Sequence, residues 1–287
     1  MRDESAIESR LSADMRTATE EWTHEALQSL IERHLNTRPS VILDVGDSGS
    51  FSRDIKWKLG ADELIVFHPD KECLDALQDG DPDGGVDHWQ VGSVASIASS
   101  VEKADLFLFL DVAHEIYSLH GRPSGSLYER VHHELGLAHV ECALEQAAQL
   151  IPSGGAIMIA TDIVVHRDGP WTLRPQTEEA RRFLKEIRIS YRSVDLCADH
   201  DEDERITVAA EHLATLLAQW DRGEREMVHA FMDLEEWRVL LHGLGFDLRI
   251  EIGTSPLVAE RRAEAFGIES GGDRFPDTRM ALLGVKR

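Results

Sequence analysis

The sequence predicts an α/β fold built on a doubly wound, mostly parallel sheet. Three observations predict it. From Pro39 onward, short apolar runs alternate with helix-length segments, the pattern of strands joined by crossover helices. One run, Leu106 to Leu110, is apolar at every position, as a strand covered on both faces must be. The stretch "SVILDVGDSGSFSRDI", Ser40 to Ile55, passes from a strand through a glycine-bearing turn into a helical pattern. Such turns bring a ligand to the carboxyl edge of an open sheet.

The elements follow in order. From Ala6 to Leu35, Ile7, Leu11, Met15, Trp22, Leu27, Leu30 and Ile31 recur at helical spacing, so one or two helices precede the first strand. "VILDV" is strand one, "DELIVFHPD" contains strand two, "DHWQVGSV" strand three and "ADLFLFLD" strand four. A long helix from Tyr128 to Leu150 ends at "IPSGG", where Pro152 and the glycine pair stop it. "AIMIATDIVV" is strand five. Arg167 to Glu236 reads as helices alone, the clearest being "RITVAAEHLATLLAQW" with Ile206, Ala210, Leu213, Leu217 and Trp220 on one face. After the helix "EEWRVLLHGLGF" come "FDLRIEI" and "RMALLGVKR" as final strands, joined by the Gly-rich connection "AFGIESGGDRFPD".

Composition narrows the function. The chain has 287 residues and a formal charge of −23. So acidic a surface repels phosphate backbones, which argues against general nucleic-acid binding. No apolar run is long enough to span a bilayer, and "MRDESAIESR" lacks the apolar core of a secretory signal. Cys73, Cys142 and Cys197 lie far apart with no CxxC spacing; a reducing, cytoplasmic setting is expected. His114–Glu115 with His120, and His133–Glu134 with His139, miss the one-turn spacing of a zinc HExxH helix. No metal is expected, and His132, His133 and His139 read as surface positions.

The strand ends gather Asp44 to Gly49, His68 to Asp70, Gly92 and Ser93, Asp111 with His114, Glu115 and Tyr117, and Thr161 with Asp162. This set is carboxylate-rich and lacks the lysine of a phosphate-gripping GKS or GKT loop. A cationic or neutral ligand suits it better than a polyphosphate.

Together "ILDVGDSGSFS", "ELIVFHPDKECLDAL", "DVAHEIYS", "ALEQAAQLIPSGGAIMIATD", "EEWRVLLHGLGFDLRIEI" and "PDTRMALLGVKR" resemble, in order and spacing, the class I S-adenosylmethionine-dependent methyltransferases. The resemblance spans Pro39 to Arg287 apart from the cap. It implies a Rossmann-like, seven-stranded sheet with an antiparallel last strand and S-adenosyl-L-methionine over strands one and two. The cofactor-binding residues it implies are Asp44, Gly46, Asp47, Gly49, His68, Asp70, Ser93 and Asp111. The chain departs from the family at three places. His68 stands where an acidic residue usually grips both ribose hydroxyls, Ser93 replaces a common Asp at the adenine, and Ser48 and Ser50 replace loop glycines. A neutral imidazole makes one hydrogen bond to a ribose, not a bidentate pair.

The expected organisation is N-terminal helices over 1–38 as a lid or homodimer contact, a cofactor-binding core over 39–166, a helical cap over 167–236 and the rest of the core over 237–287. The expected activity is methyl transfer to a small molecule, oxygen before nitrogen. His114 would act as base, Glu115 or Asp111 would orient it and Tyr117 would line the pocket. In the cap, Arg167 and Trp171 are candidate substrate contacts, whereas Tyr191 and Trp220 read as cap core. Two other readings share the fold: a non-catalytic binding or regulatory protein, and an enzyme moving an alkyl group other than methyl within one molecule.

Overall fold

The computed structural model describes residues 2–46, 50–81, 84–92, 94–97, 100–126, 129–165, 169–190, 198–200, 205–223 and 227–287. Asp47, Ser48, Gly49, Ser93, Arg167 and Tyr191 lie outside them.

A single helix α1 (Arg2–His34) precedes β1 (Val41–Val45). Then α2 (Ser50–Leu59), β2 (Glu63–His68), α3 (Lys71–Asp79), β3 (His88–Val91), the single turn α4 (Val94–Ile97) and β4 (Leu106–Leu110) alternate. Two helices, α5 (Ala113–His120) and α6 (His133–Leu150), lead to β5 (Ala156–Asp162). The next stretch holds β6 (Trp171–Pro175), α7 (Glu178–Ser190), β7 (Ala198–His200), β8 (Ile206–Val208) and α8 (Ala210–Arg222). The chain closes with α9 (Leu234–Gly243), β9 (Phe246–Gly253), α10 (Pro256–Ala265), β10 (Phe266–Ser270) and β11 (Arg279–Lys286).

The main sheet has seven strands in the order β3-β2-β1-β4-β5-β11-β9. β1 to β5 run parallel, and β11 pairs antiparallel with both β5 and β9. Strand order reverses between β1 and β4, so the switch point lies in mid-sheet, away from both borders. Alternate residues supply the two faces. Leu43, Val45, Phe107, Phe109, Ile157 and Ile159 pack with α5, α6 and Trp237 of α9. Ile42, Leu64, Val66, Leu106, Leu108 and Met158 pack with Leu27, Leu30 and Ile31 of α1 and with Phe51 and Ile55 of α2.

The region read as a helical cap carries strands as well. β6, β7, β8 and β10 form a second sheet in the order β10-β6-β8-β7. The run read as one helix from Ile206 divides at Ala209: Ile206, Thr207 and Val208 pair with both β6 and β7, and α8 starts at Ala210. Three successive β-branched or apolar residues suit a strand, and their apolar pattern runs unbroken into that of α8. The Gly-rich connection before the last strand contains β10, and α10 lies between it and β9. α6 starts at His133, five residues after the expected Tyr128.

α8 joins the two sheets. Leu213, Leu216, Leu217 and Trp220 enter the cap core with Phe183 and Phe266, while Thr215 and Gln219 hold the segment before α9. Thr215 Oγ1 accepts from Ala230 N at 3.1 Å, and Gln219 Nε2 donates to Met227 O at 2.8 Å. Among the described residues no helix is long and apolar enough to cross a membrane.

Because α8 is buried in both layers, cap and sheet should unfold together. Ile206→Ala, at a fully buried cap position, is expected to cost about 2–4 kcal/mol of whole-chain stability in one urea transition. A separate, earlier cap transition would contradict that coupling.

Candidate active site

The carboxyl ends of β1, β2 and β4 open into a cavity of about 160 Å³. α1 covers it with Arg16, Thr19 and Glu20. The sheet side brings Gly46, His68, Asp111, His114 and Glu115, and α8 brings Arg222.

Gly46 follows β1 with φ +116°, a conformation that disfavours side chains. A Cβ there would also sit 2.8 Å from Val112 Cγ2. This turn therefore presents bare backbone to the cavity. Asp44, two residues earlier, is fully buried.

His68 ends β2 and lines the cavity. Its Nδ1 lies 3.0 Å from the Asp70 backbone N–H and 2.9 Å from Asp70 O. Either contact occupies Nδ1 locally and leaves Nε2 as the ring nitrogen available to a ligand. Asp70 is exposed at the start of α3. Its Oδ1 caps α3, accepting from Glu72 N at 2.7 Å and Cys73 N at 3.1 Å. Those bonds hold its pKa below the ordinary value, as expected of an N-cap aspartate.

Asp111 is the one non-glycine residue with positive φ among the described residues, at 58°. That conformation costs about 1 kcal/mol or more, and it turns the carboxylate towards two arginines. Arg279 donates to Asp111 Oδ1 at 2.6 Å and also bonds Oδ2; Arg222 Nη1 donates to Oδ1 at 2.9 Å. Arg222 Nη2 reaches Asp162 Oδ2 at 2.6 Å. Arg279 Nε donates to Thr23 Oγ1 of α1 at 3.0 Å, and Arg16 Nη2 donates to Arg222 O at 3.1 Å. Burial works to raise the Asp111 pKa, but Arg222 and then Arg279 outweigh it and hold the carboxyl well below the carboxylate range. Next to this cluster, Arg262 pairs with Asp221 through Nε at 3.1 Å and Nη2 at 2.5 Å. Burial is the main cause that leaves Asp221 with a raised pKa.

The three expected catalytic residues separate. His114 is buried, lines the cavity and lies with its ring centroid 4.6 Å from that of buried His229. Its Nδ1 is 4.0 Å from Asp111 Oδ1, beyond hydrogen-bond range. Glu115 is exposed at the cavity mouth. Tyr117 points the other way, into the core under the sheet. It stacks on Phe231 at 4.3 Å and its hydroxyl lies 2.9 Å from His133 Nδ1. Burial pushes its pKa up to about 12. Tyr117 lies three residues from His114 on a helix, but its side chain packs under the sheet, away from the cavity.

Trp171 also departs from expectation. It is buried in the cap core, stacked on Phe275 with ring centroids 6.5 Å apart, and does not line the strand-end cavity. Trp220 is cap core as expected. Sequence reasoning missed Arg16, Glu20, Arg222, His229 and Arg279. Only Arg279 carries a local signal, a charge opening an otherwise apolar strand; the others become site residues through contacts made by distant parts of the chain.

No protein-family profile matches the chain, and no curated protein matches it in sequence. Its fold is similar to that of solved structures. The YcgJ protein from Bacillus subtilis superposes with a TM-score of 0.50 at 12% identity, over 92% of this chain and 99% of that one. The plantazolicin methyltransferase BamL, in complex with a triazolic desmethylPZN analog and SAH, gives 0.47 at 12% identity, over 99% and 91%. The N-terminal domain of EvdMO1 with SAH bound gives 0.46 at 10% identity, over 92% and 81%. The strand order and antiparallel β11 give this chain the Rossmann-like fold of class I methyltransferases.

Asp111→Asn leaves two buried guanidiniums short of a partner. It is expected to cost about 3 kcal/mol, the low end for breaking a buried pair, because the carboxylate is about a third exposed. A carboxyl whose folded pKa is depressed contributes stability above its unfolded pKa of about 4 and loses it as pH falls further. Wild-type stability should therefore drop more steeply than that of Asp111→Asn below pH of about 4, in urea titrations. Equal slopes would remove Asp111 from the acid response.

Proposed function

We propose that this chain is an S-adenosylmethionine-dependent methyltransferase acting on a small molecule, with an oxygen acceptor. The observation that carries the reading is the bare Gly46 turn opening on a cavity at the β1–β4 switch point. The residues around it suit the cofactor. The Gly46 turn admits the amino-acid end, His68 would bond one ribose hydroxyl, and Arg16 or Arg222 would meet the carboxylate. Glu20 and Glu115 place negative charge near a cation, in keeping with the −23 charge of the chain. Once bound, the cofactor supplies an electrophilic methyl on a sulfonium.

The chain's own residues supply position and proton handling. His114, buried at the cavity wall, takes a proton from a hydroxyl acceptor, and His229 packs against its ring. Asp111, clasped by two arginines, stays ionised and fixes the β4 end beside His114 rather than serving as a base. α1 excludes water from above. The cavity is about half the lower bound of usual ligand pockets, near 300 Å³, so α1 moves outward when the cofactor enters. The same small volume favours, as a second reading, a binding protein that keeps the fold without the activity.

Calorimetry with S-adenosylmethionine and S-adenosylhomocysteine separates the two. The enzyme reading expects submillimolar binding, weakened about tenfold or less in His68→Ala, since one neutral hydrogen bond is lost. Hydrogen exchange in α1 should change on binding. His114→Ala should retain cofactor affinity and lose turnover. Absence of any response to either ligand at millimolar concentration gives the binding-protein reading instead.

A further inference from the structure

A second, larger cavity of about 340 Å³ lies between α10, β10 and the segment leading to β11. Its volume falls in the range of small-molecule pockets, and it shares no lining residue with the strand-end cavity. A void of only about 10 Å³, walled by Asp221, Arg222, Arg262 and Arg279, shares residues with each of them. It is too small to pass an organic ligand, so the two cavities take their occupants separately.

The surface open to an occupant is apolar along its length and charged at its rim. Ala259 and Ala263, both exposed, stand four residues apart on α10 and so share one face of the helix. Their small side chains leave room for a flat body. Half-buried Ile268, Phe275 and Pro276 continue the apolar lining. Phe275 is backed by Trp171, with ring centroids 6.5 Å apart and planes 13° from parallel. Trp171 in turn packs so closely on Gly271 (φ +115°) that a Cβ there would lie 2.5 Å from its ring. The aromatic wall is therefore in place before a ligand arrives, and it gives Trp171 a role the sequence did not indicate.

Charge selects the ligand. Asp273, Arg274 and Asp277 line the cavity from exposed positions. Neither aspartate carboxylate is engaged in a hydrogen bond or ion pair among the described residues. Arg262, buried on the inner side, is committed to Asp221. The rim thus sets two carboxylates against one guanidinium, on a chain whose formal charge is −23. A cation enters with this balance and an anion against it. A positive head near Phe275 gains further from the negative face of the ring. We infer that the cavity between α10 and β10 binds a small organic cation, an amine carried on a flat apolar body. The ammonium sits at the Asp273 and Asp277 rim, and the body lies along Ala259, Ala263 and Phe275.

The test uses the full chain without cofactor, so its result is independent of the methyl-transfer reading. Benzylamine is titrated by protein-shift NMR, with benzyl alcohol as the neutral analogue and benzoate as the anionic one. Benzylamine should saturate, with shifts confined to 254–277. It should bind about three- to thirtyfold more tightly than benzyl alcohol, the combined value of an exposed ion pair and a cation–π contact, and more tightly still than benzoate. Added salt should weaken benzylamine and leave benzyl alcohol unchanged. Replacing both exposed rim carboxylates, Asp273→Asn with Asp277→Asn, should bring the amine to parity with the alcohol. Ala263→Trp, at an exposed lining position of α10, should abolish binding of both. Non-saturating shifts, shifts centred on the strand-end cavity, or parity of amine and alcohol in the wild type would each overturn the assignment. So would tighter binding of benzoate, or either variant leaving benzylamine binding unchanged.

Discussion

The clasp of Asp111 by Arg222 and Arg279 holds the candidate site together. Five pieces of chain, distant in sequence, meet there: the ends of β4 and β5, the last turn of α8, the start of β11 and, through Thr23, the middle of α1. A buried ion cluster is not in itself a source of stability, because desolvation offsets most of the attraction. What it imposes is register. With one member misplaced, a charge is left buried and unpaired, so α1 and α8 have one low-energy seating over the sheet edge. The left-handed backbone of Asp111 is tolerated because two guanidiniums fix the carboxylate.

That constraint shapes the candidate active site and separates the two cavities. On one side the cluster walls the cleft over β1 and β4, where Gly46 leaves backbone accessible and His68 and His114 provide imidazoles. On the other, Arg262 and Asp221 close the inner end of the larger cavity behind α10. The cap is accordingly no loose appendage. Its small sheet packs on α8, and α8 delivers Arg222 into the cleft.

The main sheet was legible because its signals are local. "VILDV", "ELIVFH", "LFLFL" and "AIMIATD" are short apolar runs bounded by turn residues, and each is a strand in the structure. The turn at Gly46 announced itself by composition. The cap was less legible: Ile206 to Val208 passes into α8 without a glycine or proline, so an apolar pattern that begins as a strand continues as a helix. Tyr117 shows a different limit. Strand-end position placed it near the site, yet its direction was set by Phe231 and His133, which the tertiary fold brings against it. Asp70 enters the candidate site only through the family resemblance; its place directly before "KECLDAL" is also an N-cap signal, and in the structure it caps α3. Arg222 was illegible, since its partner Asp111 lies more than a hundred residues away, and Arg279 shows in the sequence only as a charge opening an apolar strand.

A crystal structure of the protein grown with S-adenosylhomocysteine tests the central claim most directly. The account predicts ligand density between the Gly46 turn, His68 and Arg222, with α1 displaced outward and Asp111 still held by both arginines. Ligand seated elsewhere, or bound only after the Asp111 clasp has come apart, would contradict it.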